Sequence, residues 1–149
     1  MEDADAVGRE AWAAMYRVAE FLRQRAFVLA NEYELSPAQM HLLHCLQPEA
    51  PMTMSQAAQT LSCDASNVTG LTDRLEKRGL VERQASAQDR RVKMLVLTPE
   101  GANQRAELAE RLNQVPAIFK RLSFEELKTL RDIMRRAAEL QAAADAESR

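Results

Sequence analysis

Glycine and cysteine are both scarce in this chain of 149 residues, which contains four glycines and two cysteines. So few glycines leave no glycine-rich nucleotide-binding turn and no P-loop, and the two histidines have no nucleophile motif beside them. Two cysteines do not make a disulfide framework, so a reducing cytoplasm is the expected location. The sequence carries no catalytic signature, and we expect a protein that is not an enzyme and uses no cofactor.

Long apolar runs are also missing, and no stretch is long enough to span a bilayer. The first ten residues are acidic and lack the basic and apolar regions of a signal peptide. Aromatic residues make up only 5% of the chain, whereas hydrophobic residues make up 46%. This composition predicts a mainly helical, ordered domain with a real core and no membrane partner.

The most informative pattern lies in residues 64–98, DASNVTGLTDRLEKRGLVERQASAQDRRVKMLVLT. Asp64 is a favoured N-cap, and Gly79 suits the position just beyond a helix end. Between them, apolar residues recur at spacings of three and four: Val68, Leu71 and Leu75. Upstream, Thr53 and Gln56 form a capping box for a helix that ends near a short turn at residues 62–64. This is the spacing of a helix-turn-helix motif.

The other face of the second helix carries small or hydrogen-bonding residues: Ser66, Asn67, Thr69, Gly70 and Arg74. Such side chains can approach base edges in a major groove. Residues 80–84 and 92–97 are predicted strands, and the loop between them ends in Asp89-Arg90-Arg91. Arginines at a hairpin tip can lie over a minor groove, although a solvated charge pair is the alternative. Protein contacts alone would fit this surface poorly, because interface cores are depleted of charge.

These residues resemble the MarR family of winged helix-turn-helix regulators. The matching pieces are ASNVTGLTDRLEKRGLVER, the DRR wing tip, and VLTPEG at the start of the next helix. The resemblance covers most of the chain and implies a cytoplasmic homodimer that binds a pseudo-palindromic operator in double-stranded DNA. Many members of the family repress transcription and release DNA when a small molecule or an oxidant binds. We therefore expect a sequence-specific transcriptional regulator, a repressor released by an effector.

The expected fold is mainly α-helical with a small β-wing. An N-terminal dimerisation helix is predicted in residues 1–35, the winged helix-turn-helix in 36–98, and C-terminal dimerisation helices in 99–149, within one compact domain. The first helix carries two apolar stripes, so it must be covered on more than one side. A module as small as residues 64–98 cannot cover all this surface, which favours dimerisation through both ends of the chain.

The expected contacts with DNA are Ser66, Asn67, Thr69, Arg74, Arg83, Arg90, Arg91 and Lys93. The first three are expected at base edges or phosphates, and Arg74 at phosphates. The resemblance implies phosphate contacts for Arg83 and Lys93 and a minor-groove contact for Arg91. Asp73 lies among these groups and would repel DNA, so we expect it to pair with Arg90 and tie the helix to the wing. The alternative is an exposed pair with Lys77 at i+4.

The charge distribution fits a local DNA-binding edge. The chain has a formal net charge of −2, but residues 64–98 contain seven Lys/Arg and five Asp/Glu. That segment is therefore +2 and the remainder −4. An acidic body with one basic edge favours phosphate contact along that edge only, and binding should be sensitive to salt.

The resemblance also implies an effector pocket where the first two helices and the helix after the wing meet. Its expected lining is Met15, Tyr16, Met40, His44 and Ala109. An apolar pocket with a few polar groups suits a small aromatic ligand, and a carboxylate could bind near His44. The alternative is that these five residues belong to an ordinary core.

A thiol-based or metal-responsive regulator of the same fold is a further alternative. Cys63 lies in the helix-turn-helix turn and could sense oxidation only if its thiolate were exposed and stabilised. His41, His44 and Cys45 lie within four residues of each other and could share a metal ion. A structural role is the simpler interpretation of all four residues, so no metal ligand is assigned.

Overall fold

The computed structural model describes residues 3–86 and 88–147 and divides the chain into two compact units, residues 1–112 and 113–149. The elements of the first unit are α1 (Ala4–Glu32), α2 (Pro37–Cys45), β1 (Met52–Thr53), α3 (Met54–Thr60), α4 (Ala65–Lys77), β2 (Val81–Ala85), β3 (Lys93–Leu97) and α5 (Pro99–Asn113), which ends at the boundary. The second unit contains a 3-10 turn, Phe119–Arg121, and α6 (Phe124–Glu147). The mainly helical fold with a small wing is therefore confirmed.

Local sequence signals set the starts of the helices. The Thr53 hydroxyl accepts from the Gln56 amide, and the Gln56 side chain accepts from the Thr53 amide, which completes the predicted capping box before α3. Ser36 and Gln39 form the same arrangement before α2. Asp64 has the extended backbone of an N-cap, but its side chain makes no capping hydrogen bond. The sequence thus predicted where α4 begins, and backbone conformation rather than a carboxylate cap marks that start.

The end of α4 is a Schellman motif built on Gly79, whose φ is +71°. The amide of Gly79 donates to the carbonyl of Glu76, and the amide of Leu80 donates to that of Leu75. A positive φ is a conformation that glycine adopts at little cost. Leu75 and Leu80 are both buried, so this turn directs the chain straight from α4 into β2.

The sheet has three antiparallel strands in the order β1-β3-β2. In the wing, Val81 pairs with Leu97 and Ala85 with Lys93, which fixes the register of the hairpin. Strand β1 pairs Met52 with Leu95. It is only two residues long, too short for an alternation pattern to be visible in the sequence, and it was not predicted.

The core of the first unit lies around α4, which packs against α2, α3 and β2. The largest of its fully buried side chains are Leu42, Leu43, Leu46, Val68, Thr72, Leu75, Val81, Leu95 and Leu108. The same helix that buries Val68, Thr72 and Leu75 therefore keeps its polar face exposed, because residues three and four apart share one side of a helix.

The second unit consists of the 3-10 turn and α6. Ser123 and Glu126 form the predicted capping box at the start of α6. Large apolar side chains on this helix are exposed, among them Ile133 at 59% and Leu140 at 64%. In the part of the chain that the structure describes, no helix has the length and apolar character needed to cross a membrane.

Candidate nucleic-acid interface

The polar face of α4 is open to solvent. Five residues on it are exposed: Ser66, Asn67, Thr69, Gly70 and Arg74. The Thr69 hydroxyl donates to the carbonyl of Ala65 at 2.9 Å, so towards a ligand it presents an acceptor oxygen and a methyl group. Gly70 leaves open space, since a Cβ built there meets no atom within 4 Å. This face can offer hydrogen bonds and allows close approach, which a groove of DNA requires.

The wing tip presents two exposed arginines, Arg90 and Arg91. Asp89 shapes the turn, because its carboxylate accepts from the Arg91 amide at 2.9 Å and its carbonyl accepts from the Val92 amide. Lys93 follows at the start of β3 and is also exposed. Within the described residues, neither tip arginine forms an ion pair, so both guanidinium groups remain available to an anion.

The predicted pair between Asp73 and Arg90 is not formed, and neither is the alternative pair with Lys77. Asp73 accepts from Arg83 instead, with 2.5 Å between Oδ1 and Nη2. The same guanidinium donates through Nη1 to Glu76. The helix and the wing are therefore tied together as expected, but the arginine comes from the body of β2, because strand pairing holds Arg83 beside α4 while Arg90 lies out at the tip.

Arg83 thus differs from the other predicted DNA contacts. Its side chain is only 24% exposed and contacts two carboxylates. Sequence reasoning missed this role, although one signal was present. In the sequence, Arg83 stands two residues after the apolar Val81 in a predicted strand, so the two share a strand face. In the structure Val81 is buried, and Arg83 is half-buried and contacts α4.

A cavity of about 750 Å³ lies between α1, α2 and the end of α5. Of the predicted pocket residues, Met40 and His44 line it, whereas Met15, Tyr16 and Ala109 do not. The rest of its lining is Arg23, Gln24, Ala26, Phe27, Val28, Pro37, His41 and Leu112. The cavity therefore lies further towards the C-terminal end of α1 than the sequence suggested.

His44 is poorly suited to binding a carboxylate. Burial lowers the pKa of its imidazole, and the charges of Arg105 and His41 lower it further. Its Nδ1 atom is buried and has no hydrogen-bond partner within the described residues. A neutral imidazole supplies no positive charge, so the expected attraction between His44 and an acidic ligand is not supported.

The cysteines give little support to a redox switch. Both are free thiols. Burial raises the pKa of the Cys45 thiol, and the opposing effect of Arg105 is smaller, so the reactive thiolate is disfavoured. Among the described residues no three His, Cys, Asp or Glu side chains are grouped to hold a metal ion.

An open helix face beside an arginine-tipped wing defines a winged helix-turn-helix protein. The family model described as the MarR family matches residues 35–93. The chain is 31% identical to the uncharacterized HTH-type transcriptional regulator YwoH of Bacillus subtilis, over 72% of each chain. It is 28% identical to the HTH-type transcriptional repressor MdtR of the same organism, over 68% of this chain and 65% of MdtR.

A solved MarR family protein from Bacillus stearothermophilus has the same fold, with a TM-score of 0.82 and 22% identity, over 95% of this chain and 99% of that one. This chain belongs to the MarR family. It is a DNA-binding transcriptional regulator, and the expectation that it is not an enzyme is confirmed.

Proposed function

We propose that the protein is a homodimeric repressor that binds a pseudo-palindromic operator in the cytoplasm and leaves it when a small molecule binds. The observation that carries the proposal is the exposed polar face of α4 beside the unpaired arginines of the wing tip. A helix of this kind reads base edges in a major groove, and a basic tip reaches the adjacent minor groove. Repression is supported by the likeness to MdtR, which is named a repressor.

The individual contacts follow from these positions. Ser66, Asn67 and Thr69 occupy the first two turns of α4 and are proposed to touch base edges or nearby phosphates. Arg74 and Lys93 are proposed to hold phosphates, and Arg91 to enter the minor groove with Arg90 beside it. Gly70 provides no side-chain contact and lets the helix backbone approach the groove closely.

A second copy of the chain is the proposed cover for the apolar surface of α1. Trp12 and Tyr16 are each 64% exposed, and Val28 is 57% exposed. Exposed apolar side chains of this size along one helix are typical of an interface. The apolar residues exposed on α6, including Leu140, suit the same role at the other end of the chain. A dimer with two recognition helices would bind two half-sites about 34 Å apart.

The cavity beside α2 is the proposed effector site. Its lining is mainly apolar, with Phe27, Met40 and Leu112 among the residues, and Arg23 and Gln24 supply polar groups. Such a lining suits a small amphipathic aromatic molecule. Ligand binding there would release DNA only by favouring a dimer spacing that does not fit the operator.

A mobility-shift titration tests the proposal. The wild-type protein is first used to select duplexes from a random pool and is then titrated with the selected duplex at a fixed salt concentration. We expect Arg91→Ala to weaken binding by about 1–3 kcal/mol. Glu82→Ala, on the exposed side of β2, is the matched control and should leave affinity unchanged. Failure of the wild-type protein to enrich any duplex would contradict the proposed function.

A further inference from the structure

Arg83 forms the densest set of polar contacts on the wing. Its Nη1 lies 2.5 Å from Oε2 of Glu76, and its Nη2 lies 2.5 Å from Oδ1 of Asp73. The same Nη2 is 3.4 Å from the carbonyl oxygen of Thr69. The planar guanidinium thus spans two carboxylates on neighbouring turns of α4, a geometry that an ammonium group cannot reproduce.

The backbone of Arg83 takes part as well. Strand β2 lies at the edge of the sheet, where amide groups that point away from β3 have no strand partner. The Arg83 amide donates to Oε1 of Glu76 at 3.1 Å. Both carboxylate oxygens of Glu76 therefore accept hydrogen bonds from Arg83, which fixes β2 against α4 at this point.

The two carboxylates need a cation between them. Asp73 and Glu76 are three residues apart on α4, so they lie on one side of the helix and repel each other. Asp73 also continues the line of Ser66 and Gly70 along the reading face, at spacings of four and three residues. An unscreened carboxylate at this position would repel the phosphates of bound DNA.

We propose that Arg83 is a positioning residue for DNA binding: it screens Asp73 and Glu76 and fixes the wing against the recognition helix without touching DNA. This inference rests on the proposed function. Three of the five N–H donors of the guanidinium are engaged by Glu76, Asp73 and the Thr69 carbonyl, and turning the group towards a phosphate would leave two uncompensated negative charges beside the DNA. The positive charge of Arg83 is paired with Asp73 and Glu76 inside the protein, and Arg74 and Lys93 contact the phosphates instead.

A double-mutant cycle tests the assignment. Arg83→Met is introduced into the wild-type protein and into a background carrying Asp73→Asn and Glu76→Gln, which keep the shapes but remove both charges. Affinity is measured for one duplex that the wild-type protein selected from a random pool. We expect Arg83→Met to weaken binding about tenfold in the wild-type protein. In the neutral background, where no carboxylate needs screening, it should change affinity by less than about twofold. Equal losses in both backgrounds would show that Arg83 holds a phosphate and would overturn the proposal.

Arg83→Lys gives an independent answer and keeps the test decisive if Arg83→Met does not fold. A lysine retains a positive charge for a phosphate but cannot bridge Asp73 and Glu76. We therefore expect Arg83→Lys to bind almost as weakly as Arg83→Met, with a far-ultraviolet circular dichroism spectrum like that of the wild type. Binding at wild-type strength by Arg83→Lys would also overturn the proposal. If the wild-type protein selects no duplex, the proposed function itself fails, and this outcome is distinct from either result for Arg83.

Discussion

Replacing Gly101 by alanine should destabilise the protein severely, although the residue lies in the first turn of α5, where alanine is usually favoured. Gly101 is buried, and a Cβ built on it would lie 1.8 Å from the carbonyl oxygen of Leu80 and 2.7 Å from its carbonyl carbon. Ordinary contact between such atoms begins near 3.5 Å, so the two backbones would have to separate by about 1.7 Å. Glycine at this position therefore permits the wing and α5 to approach each other closely.

The neighbouring hydrogen bonds resist that separation. The Leu80 carbonyl accepts from the Thr98 amide at 3.2 Å, and the Gly79 carbonyl accepts from the Thr98 hydroxyl at 2.6 Å. Overpacking at a rigid site costs up to about 3 kcal/mol. Losing one of these bonds adds about 1 kcal/mol, and the higher helix propensity of alanine returns about 1 kcal/mol. We expect a net loss of about 3 kcal/mol and a fall in Tm of roughly 6–12 °C.

Gly70→Ala is the matched control. Gly70 also lies in a helix, but a Cβ there meets nothing within 4 Å. This substitution should raise stability by about 1 kcal/mol through helix propensity alone. Thermal unfolding of both variants is followed by circular dichroism at one protein concentration, because association shifts the apparent Tm. A Gly101→Ala protein that melted within about 2 °C of the wild type would refute the proposed steric conflict with Leu80.

The other predictions concern binding, assembly and pH. Lys93→Ala should weaken binding to all duplexes alike and reduce the slope of log K against log salt by about 1. Arg91→Ala should also relax sequence specificity. Salt titrations of selected and random duplexes would measure both effects. Trp12→Glu should give a monomer by light scattering that no longer binds the operator; a dimer of unchanged affinity would count against α1 as the interface. The pKa of His44 is lowered in the folded protein, so as pH falls the unfolded chain takes up a proton before the folded protein does. The free energy of unfolding should therefore decline below about pH 6.5 and level off below the lowered pKa. His44→Gln should reduce that decline in urea titrations across this range, and an unchanged decline would assign it to other groups.

Local signals in the sequence predicted much of the helical framework. The capping boxes at Thr53 and Ser123 and the glycine at position 79 act through residues a few positions away, so the sequence displays them directly. The partner of Asp73, by contrast, could not be predicted from local signals. The wing has three arginines, Arg83, Arg90 and Arg91, and the packing of β2 against α4 is what places Arg83 beside Asp73.

The position of the cavity along α1 could not be predicted from the sequence either. Apolar residues at helical spacing along α1 look alike from position 12 to position 28, and the crossing of α1 over α2 decides which of them face the space beside Met40. Phe27 and Val28 line that cavity, whereas Met15 and Tyr16 lie earlier on α1 and do not. A residue's face on a helix follows from sequence period, but its position along a helix crossing does not.

The committed charge of Arg83 changes how the basic segment should be understood. Counted along the chain, residues 64–98 carry an excess of two positive charges. In the folded protein, Arg83 is enclosed by Asp73 and Glu76, and this group of three is negative by one charge. On the proposed DNA-facing surface, the accessible positive charge is therefore concentrated at Arg74, Arg90, Arg91 and Lys93. Since only these few groups would displace counterions, we expect base contacts from Ser66 and Asn67 to supply a large share of the affinity for DNA.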